Sequence, residues 1–395
     1  MAPSLHCAAA ALQLIQHLPH GPWGMDLRRA PDAQATVDTR ATKVCYPCSF
    51  DEAGGSLASL PQLREFVASW QRVRTLGEAH FGKVYLARAT PASPSVNLPE
   101  VFALKRMPRS AVLAGGPGLE SAENEILAGL ALKELELPYT AQCLFAAQDE
   151  DYFYLATEYC EHGELFSVLQ GLVQKGQGGM PEAVLREIMQ QVLQAVQALH
   201  EAGIAHRDVS LENILVSKTG SIRLIDFGQA LTVCPPKNCQ LKEAPGGADF
   251  WRDVAARDAE SQEAAVRPCP RGLPGKLCYR APELMAGVPY MATKVDAFAC
   301  GVLLYTLALG SYPALGELFP PAEMNAERCR TLQPHLAAAG LLGRVSPGCV
   351  DLLEQLLAPR PAQRASVAEA AAHPWLVGTL SGLCAPMDVD EAGDI

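Results

Sequence analysis

The sequence has no excess of base. Its 395 residues hold 32 Lys and Arg against 43 Asp and Glu, a net charge of −11. That balance excludes a general nucleic-acid or anionic-membrane binder, which would present a basic face. No uninterrupted apolar run is long enough to cross a bilayer. The longest, Ala297 to Leu309, has about 13 residues where roughly 18 are needed, so it reads as a buried helix. Paired cysteine spacing is also missing: the 13 cysteines are odd in number and scattered from Cys7 to Cys384. They suit a reducing compartment rather than a disulfide framework. The single CxxC, Cys45 to Cys48, has no second pair and reads as ordinary thiols rather than a zinc site. No EF-hand spacing occurs. The apolar stretch Cys7 to Ile15 has no basic residue before it, unlike a secretory signal. An intracellular location, cytoplasmic or nuclear, is the expectation.

Hydrophobic residues make up 49% of the chain, enough for a sizeable core. Residues 1–66 carry Pro, Gly and Ala clusters without a sustained period and read as a disordered extension. After them come short β-type runs: Val73 to Leu76, Val84 to Ala87, Val101 to Leu104 and Tyr152 to Tyr159. A helix is expected over Glu120 to Leu132, and a long amphipathic one over Pro181 to Glu201. Helices follow from Lys294 to Leu376. This is an α+β chain with a small β-rich lobe (67–158), a larger helical lobe (159–378) and a cleft between them. The stretch 234–270, rich in Pro, Gly and charge, reads as an insertion, and 379–395 as an acidic tail. There is no internal repeat.

Three groups of residues carry chemistry. Gly77-Glu78-Ala79-His80-Phe81-Gly82 lies between two strand candidates, where glycines let backbone N–H groups approach phosphate oxygens. A hairpin turn would need glycine equally. Lys105 ends an apolar strand and could reach those phosphates. His206-Arg207-Asp208-Val209-Ser210-Leu211-Glu212-Asn213, followed by Asp226-Phe227-Gly228, is the strongest signal. One carboxylate there can accept a hydroxyl proton, while a second carboxylate and a carboxamide can hold a divalent cation against nucleotide phosphates.

With Ala281-Pro282-Glu283 downstream, this ordered set resembles the eukaryotic protein kinases over roughly Gln71 to Leu376. The resemblance implies the two-lobed kinase fold, ATP and Mg²⁺ as cofactors, and Ser/Thr hydroxyls of protein substrates as acceptors. It assigns Asp208 as base, Asn213 and Asp226 as metal ligands, and Lys105 as the phosphate-positioning lysine paired with Glu123. Around the nucleotide it places Leu76, Gly77, Gly82, Val84, Ala103, Thr157, Glu158, Cys160, Glu164 and Leu215. Glu283 and Arg364 match a buried structural pair. Glu164 and Glu212 match acidic positions that receive basic substrate residues in some members. His373-Pro374-Trp375-Leu376 resembles the closing helix of the calcium/calmodulin-dependent group, yet the acidic tail is wrong for a calmodulin-binding helix. Oligomeric state leaves no trace in the sequence.

Three departures bear on activity. Ala79 stands where the phosphate loop has its middle glycine. Ser210 stands where Ser/Thr kinases carry a lysine two residues after the base, and Lys276 stands where they carry a threonine. The expectation is a positional exchange, with Lys276 supplying the cation; the other reading leaves Lys276 in solvent. Finally, no Ser, Thr or Tyr lies between Ser261 and Gly275, so activity is expected without phosphorylation there, with Glu260 or Glu263 available to meet Arg207. A pseudokinase, a nucleotide-binding scaffold, remains the alternative.

Overall fold

The computed structural model describes residues 57–94, 96–114, 119–233, 266, 272–315, 332–338 and 342–377. The acidic tail and most of the 234–270 insertion, with Glu260, Ser261 and Glu263, lie outside them.

The small lobe is one antiparallel sheet in the order β1-β2-β3-β5-β4. Its strands are β1 (Val67–Ala79), β2 (Gly82–Pro91), β3 (Phe102–Pro108), β4 (Cys143–Gln148) and β5 (Tyr152–Thr157). β1 is far longer than the run Val73 to Leu76 suggests. It is an edge strand whose side chains from Ala68 to Thr75 are mostly exposed, so pairing with β2 rather than apolar alternation sets its length. Helix α1 (Arg109–Ala114) follows β3, and α2 (Ala122–Leu135) packs beside β4. Each sheet face has its own apolar cluster. One centres on Phe102, Leu104 and Phe145; the other joins Met107, Phe153 and Leu155 to Ile126 of α2.

The second cluster contains a surprise. Leu57 and Leu60, within the extension expected to be disordered, are both buried in it. The Gln148 side chain donates to Leu60 O at 2.7 Å and Ala58 O at 3.3 Å, and Gln148 N donates to Pro61 O at 2.9 Å. Arg109 in turn donates to Gln148 Oε1 at 2.6 Å. The ordered domain therefore begins by Leu57, and residues 1–56 lie outside the described chain. Two leucines three apart form too short a pattern to register as periodic.

The large lobe is helical: α3 (Leu165–Gln174), α4 (Glu182–Glu201), α5 (Pro282–Met285), α6 (Ala292–Leu309), α7 (Leu332–Ala338), α8 (Pro347–Leu356), α9 (Val367–Ala371) and α10 (Pro374–Val377). Two short antiparallel pairs join β6 (Ile204–Ala205) to β9 (Leu231–Thr232) and β7 (Ile214–Val216) to β8 (Ile222–Leu224). Along α4 the buried residues Leu185, Ile188, Val192, Ala195 and Leu199 recur at helical spacing. Helix α6 is 18 residues long and apolar enough to span a bilayer, but 89% of it is buried, which makes it the lobe's central core helix. It stops at Gly310, whose φ of 78° is left-handed and whose absent Cβ leaves room for Gly178 O. Arg364, wholly buried, donates to both Glu283 oxygens at 2.7 and 2.9 Å and ties α5 to the segment before α9.

Candidate active site

Between the lobes runs a cleft lined above by Leu76, Val84 and Ala103 and below by Leu215, with Thr157 and Cys160 at its back. Gly77, Glu158 and Glu164 also line it. The two loop glycines do different work. Beside Gly77 a Cβ would meet nothing, leaving the cleft roof open, whereas at Gly82 it would lie 2.1 Å from Arg106 O. Gly82 is thus required by the close approach of β2 to β3, and it does not line the cleft. At the loop tip Phe81 is buried under the sheet and His80 Nδ1 stands 3.6 Å from Glu120 Oε2. Burial, then the neighbouring Asp226 carboxylate, raises the Glu120 carboxyl above its usual range. Glu158 accepts from Arg223 Nε at 2.8 Å and from Gln142 N at 2.9 Å, which pins the segment that leaves β5.

Lys105 sits on β3 opposite Val84 and Leu155. Its Nζ donates to both oxygens of Glu125, at 2.6 and 2.5 Å, in nearly dry surroundings. The partner is Glu125 and not Glu123, which corrects the sequence assignment. Two residues on a helix point about 200° apart, so only one of the two glutamates can face the cleft. Glu125 shares the buried stripe of Ala122, Gly129 and Leu132, and that stripe was readable in the sequence. Burial opposes the charge on Lys105, but Glu125 and Asp226 together outweigh it and hold the amine above its ordinary value.

The loop after β6 (Ile204–Ala205) is fastened by Asp296, a wholly buried residue of α6. Asp296 accepts from His206 N at 2.8 Å and Arg207 N at 2.7 Å, and lies 2.9 Å from His200 Nε2. The available sequence signal was a charge directly before the apolar run Ala297 to Leu309. The clamp holds Arg207 at φ 64°, a conformation unfavourable for a non-glycine residue. His206 faces Ile225 O through Nε2 at 3.0 Å and accepts from Asp208 N through Nδ1 at 3.2 Å.

Asp208 is the centre of the polar groups. Asn213 Nδ2 donates to Asp208 Oδ2 and to Asp208 O, each at 2.8 Å. Lys276 reaches the same carboxylate from the far segment: its N donates to Oδ1 at 3.2 Å and its Nζ to Oδ2 at 3.1 Å. The same Nζ donates to Ser210 Oγ at 2.8 Å. Lys276 therefore points into the site rather than to solvent. Gly275 N donates to Gln229 Oε1 at 2.9 Å and Leu211 N to Tyr279 Oη at 3.0 Å, so this segment is seated at both ends of the lysine. Arg207 donates to Gln229 O at 2.6 Å and to Tyr290 Oη at 3.3 Å.

Because Asn213 uses its Nδ2 on Asp208, its Oδ1 is left to act as an acceptor. That oxygen and the Asp226 carboxylate make a hard-oxygen donor pair, which fits Mg²⁺ or a similar cation better than zinc. Among the described residues no group of three or more His, Cys, Asp or Glu could hold a metal by itself. A cation there would take its remaining ligands from nucleotide phosphates and water.

Comparison with known proteins agrees with this geometry. The family model described as "Protein kinase domain" matches residues 70–376. CBL-interacting protein kinase 4 of rice is 30% identical over 309 residues, covering 78% of this chain and 58% of its own. CBL-interacting protein kinase 21 of rice is 28% identical, covering 78% and 49%. The serine/threonine-protein kinase ULK3 of Xenopus laevis is 27% identical, covering 79% and 55%. The chain thus spans about half the length of these curated relatives. With a matching domain over most of its length and relatives that are themselves named as protein kinases, the chain belongs to the protein kinase family.

Proposed function

We propose that this chain is a catalytically active protein serine/threonine kinase that transfers the γ-phosphate of ATP to hydroxyls of protein substrates. The observation that carries the reading is Lys276 Nζ, set between Asp208 Oδ2 and Ser210 Oγ. It puts a cation back beside the base, where Ser210 has removed one. In the proposed step Asp208 accepts the proton of the substrate hydroxyl as its oxygen bonds to the γ-phosphorus. The bond to the bridging oxygen breaks and its electron pair leaves with ADP. Lys276 balances charge on the transferring group, and Lys105, held by Glu125, orients the α- and β-phosphates. Mg²⁺ held by Asp226 and Asn213 Oδ1 would neutralise the β- and γ-oxygens.

Two further features support finer readings. Glu212 Oε2 is buried without a hydrogen-bond partner, a carboxylate oxygen suited to a basic substrate residue near the acceptor. Arg207 is already engaged by Gln229 O and Tyr290 Oη, which supports activity without a phosphate on the segment. The described cysteines are all unpaired thiols, in keeping with a reducing, intracellular setting; intact disulfides in the native protein under non-reducing mass spectrometry would overturn that reading.

Ser210 and Ala79 favour the second reading, a scaffold that binds nucleotide without transferring phosphate. Incubating the purified chain with Mg²⁺, labelled ATP and a basic acceptor protein separates the two. Transfer that disappears in Asp208→Asn supports the kinase. ATP binding with no transfer, with or without the 237–267 stretch, refutes it.

A further inference from the structure

The first turn of α2 does more than present Glu125. Ser121 caps the helix by accepting from Asn124 N at 3.2 Å, and Ser121 N donates to Gly228 O at 3.0 Å. The side chain of Asn124 then crosses to the Asp-Phe-Gly segment. Its Nδ2 lies 2.9 Å from Phe227 O, 2.9 Å from Ala230 O and 3.4 Å from Gly228 O. A carboxamide has two N–H donors, which serve the two nearer carbonyls and leave the third as a marginal contact. The segment so held is conformationally unfavourable: Asp226 has φ 65°, a left-handed backbone that a non-glycine residue keeps only where its surroundings enforce it.

We propose that Asn124 is a positioning residue that locks the conformation of the Asp226-Phe227-Gly228 backbone to the position of α2, so that the metal-binding carboxylate and the Lys105–Glu125 pair are assembled together. Asn124 and Glu125 are neighbours on one rigid turn. Movement of that turn which opens the ion pair also withdraws two hydrogen bonds from the carbonyls that follow Asp226. The inference rests on the kinase reading for its effect on turnover, while the conformational lock is a property of the nucleotide-free chain.

Hydrogen exchange on the nucleotide-free protein tests the lock directly, comparing the natural chain with Asn124→Asp and Asn124→Ala. Aspartate is isosteric and well tolerated at the third position of a helix, where negative charge meets the positive end of the dipole. It would, however, replace the donor with a carboxylate facing three carbonyl oxygens. Amides of residues 225–231 are expected to exchange about 3- to 10-fold faster in Asn124→Ala, the factor one net hydrogen bond represents, and faster still in Asn124→Asp. Exchange in α6 stays unchanged. In turnover assays the same variants lower kcat and raise the Mg²⁺ concentration for half-maximal rate, with the peptide KM unchanged. Unaltered exchange at 225–231, or equal acceleration in both lobes, overturns the proposal. Failure of the natural chain to transfer phosphate would overturn the kinase reading instead and leave the exchange result standing.

Discussion

Replacing Lys276 by alanine removes the cation that reaches Asp208 from the activation segment among the described residues. Two unit charges 4 Å apart interact by about 4 kcal/mol near a protein surface and about 1 kcal/mol in bulk water. The Lys276 side chain is 35% exposed, an intermediate case that places its contribution to a charged transferring phosphoryl group at about 2–3 kcal/mol. A barrier raised by that amount slows kcat about 30- to 160-fold. Steady-state transfer from labelled ATP, with kcat and the ATP KM fitted separately, reads the effect. The fall should appear in kcat, because the contact acts on charge that develops during transfer. The double variant Ser210→Lys with Lys276→Thr restores the arrangement common among serine/threonine kinases and should recover much of the loss. Ser210→Lys alone crowds two cations into one site and should not match the double variant. A Lys276→Ala protein turning over within about threefold of the natural chain would refute the exchange, since so small a change lies within that of an ordinary surface substitution.

Two other expectations bear on the small lobe and on acid stability. Glu125→Gln leaves Lys105 buried beside a neutral partner and should lower kcat/KM about 100-fold or more, because breaking a buried pair costs about 3–5 kcal/mol; Glu123→Gln should cost at least tenfold less, and the reverse order would return the pairing to Glu123. Glu182 accepts from Trp375 Nε1 at 2.6 Å and from Ser346 through Oγ and N. Burial pushes its carboxyl up, but these donors outweigh burial and hold it below the usual range. A folded-state value lowered in this way contributes stability above the ordinary carboxylate range and loses it as pH falls through the folded value. Glu182→Gln should therefore reduce Tm at pH 7, by about 1–2 kcal/mol in stability, and the gap should close as pH falls below the ordinary carboxylate range; a gap independent of pH would count against this.

The motifs were legible because phosphoryl transfer needs particular groups at fixed separations, and Asp208, Asn213 and Asp226 keep those separations in the chain itself. The contact between Ser210 and Lys276 was legible for a related reason: two departures at positions that ought to touch are more informative together than either alone. Glu123 was assigned in place of Glu125 because matching by motif position ignores helical phase, whereas the stripe of Glu125 with Ala122, Gly129 and Leu132 decides which glutamate faces Lys105. Asp296 and Asn124 were not legible as site residues. The loop groups they hold are backbone carbonyls and N–H groups 89 to 106 residues away in the chain, and such a group leaves no mark on the sequence. Gly82 matched a phosphate-loop glycine by type, while the constraint on it comes from the neighbouring strand.

The buried leucines ahead of β1 set a practical boundary. A fragment cut to the family match would begin at Trp70, removing Leu57 and Leu60 from the cluster that contains Ile126 of α2. Such a fragment would carry an open apolar slot beside the helix that bears Glu125, together with the Gln148 amide stripped of the carbonyls it now serves. It would be prone to self-association and slow at transfer for reasons unrelated to its catalytic residues. Any ranking of active-site variants on that background would measure a wounded lobe, so the shortest faithful version of this domain starts no later than Leu57.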